Sequence, residues 1–433
     1  MGALTGARAR GSSPAAAWHG ASHPKPDPTS SDNEGLDVQG PLVESLPAER
    51  MSDPTQRRDQ LRNFFQERFG AAPTVWCRAP GRVDLMGSHT DYNLGHVLTL
   101  PIGRDTWIAA RPRLDSTVRL YSLNLETEAT FSLDPIVAGP VGHWSNYVRG
   151  VAQVLQTEGL AVTGFDGAIH STVPLSSGLS SSAALECATA TVFEVLGGWR
   201  LDPVRKALLC QRAENQFVGV NCGVLDQYTS CLGEAGCALL LDCRDLTHRP
   251  VKLPEGLQVV IGDTRSRREL AGSEYGQRRA QCEDGARQLG VRALREVSVD
   301  RFTRHEAELP PEVARRCRFI VEENDRVLRL AVALPAFDRE AIGQLTAASF
   351  RGACDLYEIG TPAMHAMFEA MQTAPGVVGA RQAGAGFGGC LVAFVEQAQV
   401  PGFVESVCGR YALATGSRAV AYPVEAAAGA GPL

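Results

Sequence analysis

Apolar positions recur at regular spacings from Asp53 onward, and residues 1–50 show no such period. The run DPTQRRDQLRNFFQERFG predicts a capped amphipathic helix with Leu61, Phe64, Phe65 and Phe69 on one face. An extended apolar segment at residues 75–78 runs into a predicted turn at Pro80-Gly81, and a second follows at residues 97–102. Alternation within residues 104–133 predicts strands, and WSNYVRGVAQVL predicts a helix opening at Trp144. Leu185, Val192, Phe193 and Leu196 repeat at helical spacing until Gly197-Gly198 ends that helix. Asp202 caps the next, Pro203 suits its first turn, and Glu214 stands at its far end. Residues 239–241 and 258–263 then read as strands, and residues 265–288 and 301–348 as mainly helical. Residues 376–380 read as a turn or strand start, and a glycine-rich loop feeds a strand at 391–395. Helices interleaved with strands predict a mixed fold, whose topology this pattern does not fix.

Polar clusters interrupt the pattern. Arg82, Asp84, Ser88, His89, Asp91, Tyr92 and Asn93 crowd the stretch between two apolar segments. Such a set suits a polyhydroxylated ligand, whose hydroxyls each need a donor or acceptor of fixed geometry; an Asp/Asn-rich connecting turn is the plainer alternative. PLSSGLSSSAALE (residues 174–186) joins a hydroxyl-rich turn to a helix start. Gly178 lets the backbone approach an anion, Ser180, Ser181 and Ser182 offer hydroxyls, and the first-turn amides lack intrahelical partners. That is either a phosphate site or an ordinary capped helix. Asp226, flanked by Val224, Leu225 and Tyr228, is either a helix cap or a partly desolvated functional carboxylate. Trp144 is either a core residue or a platform for a nucleobase.

The length of 433 residues exceeds what one core usually serves and predicts two domains. With 44% hydrophobic and 21% charged residues the composition is that of a soluble globular protein. A net charge of -6 gives no electrostatic reason to expect a nucleic acid partner. No apolar run approaches the roughly 20 residues that span a bilayer, so no membrane partner is expected. The 12 cysteines form no CxxC pair and no zinc spacing, which predicts reduced thiols in a cytoplasmic protein. Residues 1–50, rich in Ala, Gly, Ser and Pro, read as a disordered extension, and Met51 is an alternative start site.

Taken in order, the motifs resemble those of the GHMP small-molecule kinase superfamily, and within it the galactokinase branch. APGRVDLMGSHTDYN is similar to the galactokinase signature, PLSSGLSSSAALE to the ATP motif and CGVLDQY to the catalytic-acid segment. RRELAGSEY is similar to the sugar-contacting helix and AGAGFGGC to the third motif. Neither a Walker phosphate loop nor the protein-kinase motifs HRD and DFG compete with this reading. The resemblance implies an α+β, two-domain GHMP kinase fold, with domains over residues 54–245 and 246–425 and the active site in the cleft between them. It implies a monomer that uses ATP and Mg²⁺ to phosphorylate the anomeric C1 hydroxyl of a monosaccharide. Carried over by position, Ser176, Ser177, Gly178, Leu179, Ser180, Ser181 and Ser182 cradle the nucleotide phosphates, and Trp144 takes the base. Ser182 and Glu214 hold the metal. Asp226 accepts the hydroxyl proton, and Arg82 keeps Asp226 charged and neutralises the transferred group. Ser88, His89, Thr90, Asp91, Gly223 and Tyr275 bind the sugar.

The chain departs from the family at the sugar end. Ser88 stands where galactokinases usually carry a Glu that contacts the primary hydroxyl, and Asp84, Met86, Ala383 and Ala385 replace the common Asn, Ile, Thr and Gly. Loss of that carboxylate is expected to relax recognition and to tolerate a sugar acid such as galacturonate. LYEIGTPAMHAM is closer to galacturonokinase and arabinokinase relatives, whereas HTDYN is kept whole and favours galactose. A third reading is a catalytically weak transcriptional sensor of galactose and ATP. Such sensors lose part of the segment at Ser182-Ala183, which this chain keeps.

Overall fold

The computed structural model describes residues 53–175, 177–266 and 271–433. The extension expected to be disordered, Ser176 and the first four residues of RRELAGSEY lie outside the described residues. Helix α1 (Pro54–Phe69) forms as its sequence predicts: the Asp53 side chain accepts from the Thr55 amide at 2.9 Å, and Gly70 closes the far end. Its Leu61 and Phe65 bury against Trp76 and Trp107.

Those tryptophans belong to a sheet built from β1 (Val75–Met86), β2 (His96–Pro112), β3 (Thr117–Ser122), β4 (Thr127–Ser132), β5 (Phe165–Ser171), β6 (Cys237–Asp242) and β7 (Thr247–Lys252). A second sheet holds β8 (Leu257–Asp263), β9 (Val377–Gln382), β10 (Cys390–Glu396) and β11 (Val420–Val424), and β12 (Gly431–Pro432) returns to pair with β1. The order is β12-β1-β2-β5-β3-β4 in the first sheet, with β6 and β7 branching from β2, and β11-β8-β10-β9 in the second. Helices α2 (Ser145–Thr157), α3 (Ser181–Gly197), α4 (Pro203–Ala213) and α5 (Leu225–Leu232) bury their apolar faces in a core with the first sheet. The rest of the chain adds α6 (Ala271–Gln288), α7 (Val299–His305), α8 (Pro311–Ala333), α9 (Arg339–Asp355), α10 (Pro362–Gln372) and α11 (Val400–Thr415). Both sheets share one core, in which Val83, Leu98 and Leu100 meet Ile261, Val392 and Phe394 beside Val327 and Leu330 of α8.

The turn expected at Pro80-Gly81 is instead a bulge. β1 runs through it, and the register against β2 shifts between Pro80 and Arg82. Local Pro-Gly chemistry yields because β2 pairs with β1 on both sides of it. Gly81 is required there, since a Cβ would stand 2.6 Å from the Leu179 carbonyl, which accepts from the Arg82 amide at 3.1 Å. Arg82 and Asp84 are therefore strand residues on one face, fixed against the serine turn. Arg265 and Ser266, where a helix is expected to begin, are not helical, α6 is described from Ala271, and Thr264 is tied to the Gly389 carbonyl at 2.7 Å. Among the described residues no helix is long and apolar enough to cross a membrane, and no disulfide joins any two cysteines.

Candidate active site

Ser180, the residue before α3, sits in the left-handed region with φ 61°. A serine held there is strained by ~1–3 kcal/mol. In this conformation its Oγ donates to Asp226 Oδ2 at 2.5 Å. Asp226 lies in the first turn of α5, and its Oδ1 receives Nε and Nη2 of Arg82 at 2.8 and 2.5 Å. The remaining Arg82 nitrogen donates to the Gly178 carbonyl at 2.6 Å. One arginine of β1 thus joins the serine turn to α5.

Two cavities meet at this pair, and Arg82, Gly178 and Asp226 line both. The first, of about 780 Å³, is walled by Ser177, Ser181, Ser182, Arg265 and Gly389. Serine hydroxyls and the free first-turn amides of α3 make it a place for anions. The second, of about 890 Å³, is walled by Ser88, His89, Asp91, Gly223, Tyr275 and Ala385, among others. Its hydrogen-bonding side chains suit a polyol.

Burial pushes the Asp91 carboxyl up to about 6, opposed by the Tyr92 amide and reinforced by the charges of Asp226 and Asp84. Gly223 is needed beside it, because a Cβ there would come 1.9 Å from Asp91 Oδ2. Burial also pulls His89 down to about 4. Its Nε2 lies 2.9 Å from the Ala385 carbonyl and its Nδ1 2.8 Å from the Tyr92 hydroxyl. The neutral ring therefore donates through Nε2 and accepts at Nδ1, which anchors the 87–95 loop to the glycine-rich loop. Tyr275 of α6 stacks at a tilt over His89, with centroids 5.2 Å apart.

Glu214 begins a π-helical turn after α4 and is buried, with Gln227 Nε2 donating to its Oε2 at 2.5 Å and the Ser182 hydroxyl near enough to favour its charged form. Burial, with the charge of Asp226, raises Glu214 to about 7. The desolvated Glu214 carboxylate lines the second cavity and the Ser182 hydroxyl the first, and together they fit Mg²⁺, which takes one or two carboxylates and completes its shell with phosphate and water. No group of three or more His, Cys, Asp or Glu among the described residues forms an all-protein metal cage.

Other expected residues stand elsewhere. Thr90 Oγ1 donates to the carbonyls of Gly87 and His96, both at 2.6 Å, so it holds the loop and lines neither cavity. Leu179 contributes its carbonyl to Arg82 while its side chain is buried in the core. Trp144 also lines neither cavity; it packs on the core and donates from Nε1 to Thr127 at 2.9 Å. Ser177 Oγ is bonded to the Pro174 carbonyl at 2.9 Å. Ser88 does not leave a neutral wall: its Oγ donates to Asp84 Oδ2 at 2.5 Å, so a carboxylate stands directly behind it. Sequence reasoning missed Gln227, which bridges Glu214 and the fully buried Glu186, and also missed Arg381, Glu323 and Ser349 behind Ser88.

Residues 146–234 match the GHMP kinases N terminal domain and residues 330–413 the GHMP kinases C terminal domain. The fold is also that of the Methanococcus jannaschii mevalonate kinase, with a TM-score of 0.60 at 16% identity over 81% of this chain and 98% of that one. The protein is a small-molecule kinase of the GHMP fold. Residues 63–112 further match the galactokinase galactose-binding signature. Curated galactokinases of Roseiflexus sp. (strain RS-1) and Chloroflexus aggregans are each 44% identical to it, over 86% and 85% of this chain and 96% and 95% of their own. The crystal structure of Lactococcus lactis galactokinase complexed with galactose matches with a TM-score of 0.83 at 33% identity, over 87% of this chain and 99% of that one. The chain belongs to the galactokinase family and is a sugar kinase.

Proposed function

We propose that this protein transfers the γ-phosphoryl group of ATP to the C1 hydroxyl of galactose, giving galactose 1-phosphate. The observation that carries this reading is the Arg82–Asp226 pair standing where an anion cavity meets a polyol cavity. The sugar occupies the second cavity, with Asp91, His89 and Tyr275 around its ring and its anomeric hydroxyl at Asp226. Among the described residues Asp226 Oδ2 accepts only from Ser180 and keeps a lone pair for that hydroxyl, so it can orient the nucleophile and take its proton. Arg82 holds the carboxylate and offsets charge growing on the phosphoryl oxygens. The α3 amides and the Ser181 and Ser182 hydroxyls hold the nucleotide phosphates. Glu214 and Ser182 would hold Mg²⁺, which supplies further neutralisation of phosphate charge when bound.

The division at residues 54–245 and 246–425, and a monomeric state, belong to the same reading. It is tested by coupled ADP release with galactose, galacturonate, arabinose and N-acetylgalactosamine as acceptors. Galactose is expected to be the best of the four. If it is the poorest, the galactose assignment is wrong while the kinase family stands.

A further inference from the structure

Behind the sugar cavity lies a buried charge network that phosphoryl transfer does not use. Arg381 of β9 is fully buried and donates to Ser88 Oγ at 2.9 Å and to Glu323 Oε1 at 3.2 Å, with Asp84 Oδ2 at 3.6 Å. Ser349 bonds both Glu323, at 2.8 Å, and Arg381, at 3.0 Å, and Arg326 donates to Glu323 Oε2 at 2.8 Å. Arg326 is shared with Glu322, its Nη1 donating to Glu322 Oε2 at 3.2 Å. Asp84 Oδ2 accepts from Ser88, yet among the described residues Asp84 Oδ1 has no hydrogen-bond partner, although Asp84 is 2% exposed and belongs to the cavity wall. A buried acceptor left without a donor at a ligand cavity is a place for a ligand hydroxyl.

The strand fixes the end of the ring from which that hydroxyl comes. Arg82 and Asp84 are alternate residues of β1 in regular register with β2, and so face the same way roughly 7 Å apart. With the reacting C1 end at Arg82 and Asp226, Asp84 stands at the far end of a pyranose ring, where galactose carries its C4 and C6 hydroxyls. Resting on the galactose reading above, we infer that Asp84 is a specificity-determining residue whose Oδ1 accepts a hydroxyl from the far end of the sugar. Ser88 and Arg381 are positioning residues that hold its other oxygen. A sugar acid then brings a second carboxylate against Asp84, and a deoxy sugar leaves Oδ1 unpaired.

The test compares kcat/KM for galactose, galacturonate, 6-deoxygalactose and 4-deoxygalactose in the wild type, Asp84→Asn and Ser88→Ala, with melting curves and ATP binding as checks of folding. The wild type is expected to prefer galactose over galacturonate and over at least one deoxy sugar by ~100-fold or more. Asp84→Asn keeps the shape and removes the charge, and should shrink the preference over galacturonate by ~10-fold or more. Ser88→Ala frees the carboxylate and should raise the galactose KM several-fold while kcat stays within about 2-fold. Equal wild-type turnover of galactose and galacturonate overturns the inference, as does an unchanged preference in Asp84→Asn. If Asp84→Asn does not fold, an unchanged galactose KM in Ser88→Ala overturns it. Absence of galactose turnover in the wild type removes the proposed function, and this inference with it, before any variant is compared.

Discussion

Arg82 places two nitrogens on a single oxygen of Asp226, at 2.8 and 2.5 Å, and leaves Oδ2 to the Ser180 hydroxyl. That grip turns the carboxylate so that one oxygen alone can take a further donor. Asp226→Ala should lower kcat by ~10³-fold or more while the KM for ATP changes little, because the lost group acts on the nucleophile. Arg82→Lys keeps the charge but loses the fork, and should cost ~10²-fold in kcat. Steady-state kinetics with both substrates varied decide the matter; near-normal kcat in Asp226→Ala would remove its assigned role.

Gly223 allows Asp91 its place, since a Cβ would sit 1.9 Å from the carboxylate oxygen. Gly223→Ala should push Asp91 aside by an ångström or so, and a displacement of that size costs ~10²-fold in kcat/KM for the sugar. The KM for ATP and the melting temperature should stay close to wild type, because the residue is half-exposed in a cavity wall rather than in a core. An unchanged sugar KM would show that Asp91 does not hold the substrate.

Asp91 also gives sugar binding a pH dependence. Its folded value of about 6 means that it is a charged acceptor at pH 7.5 and mostly protonated at pH 5. The galactose KM should therefore rise as pH falls through about 6, and Asp91→Asn should show a high KM without that step. The same shift has the opposite sign for the unliganded fold. The folded carboxyl binds its proton more tightly than the unfolded one, so Asp91 favours the native state at low pH and this contribution is lost as pH rises from about 4 to about 6. A galactose KM that is flat between pH 5 and 7.5 would sink the binding claim.

Periodicity made α1, α3 and α4 legible because their caps and apolar faces are local: Asp53, Asp202 and Gly198 stand where the helices start or stop. The strand through Pro80-Gly81 was not legible, because the decisive partners, Pro101 to Ala110 of β2, lie some distance along the chain. β5 was passed over for a related reason, since FDGAIHS mixes small and polar residues and becomes a strand through pairing with β2 and β3. Within the site, motif order pointed to Arg82, Asp226, Glu214 and the serine turn. It could not reveal that Thr90 bonds only backbone or that Ser88 leans on Asp84 and Arg381. The Ser88–Arg381 contact spans nearly three hundred residues, and the one trace of it in sequence is a lone arginine after the apolar and small run VVGA.

His170 of β5 offers a test of the scaffold apart from the site. It is buried, its Nδ1 has no hydrogen-bond partner among the described residues, and burial together with the nearby charge of Arg57 pulls it down to about 4, with Asp105 opposing. Well above pH 6.5 the ring is neutral in folded and unfolded chains alike, and it adds no pH dependence there. Between pH 6.5 and about 4 only the unfolded chain gains the proton, so stability falls as pH falls. The full loss is on the order of 3 kcal/mol. His170→Gln cannot titrate; it should be less stable at pH 7 but should lose less on acidification to pH 4.5. Comparing the two chains cancels the contributions of His89, Asp91 and Glu214, which are common to both. Denaturant unfolding at several pH values measures the difference, and parallel stability curves for the two proteins would show that His170 takes up its proton as readily folded as unfolded.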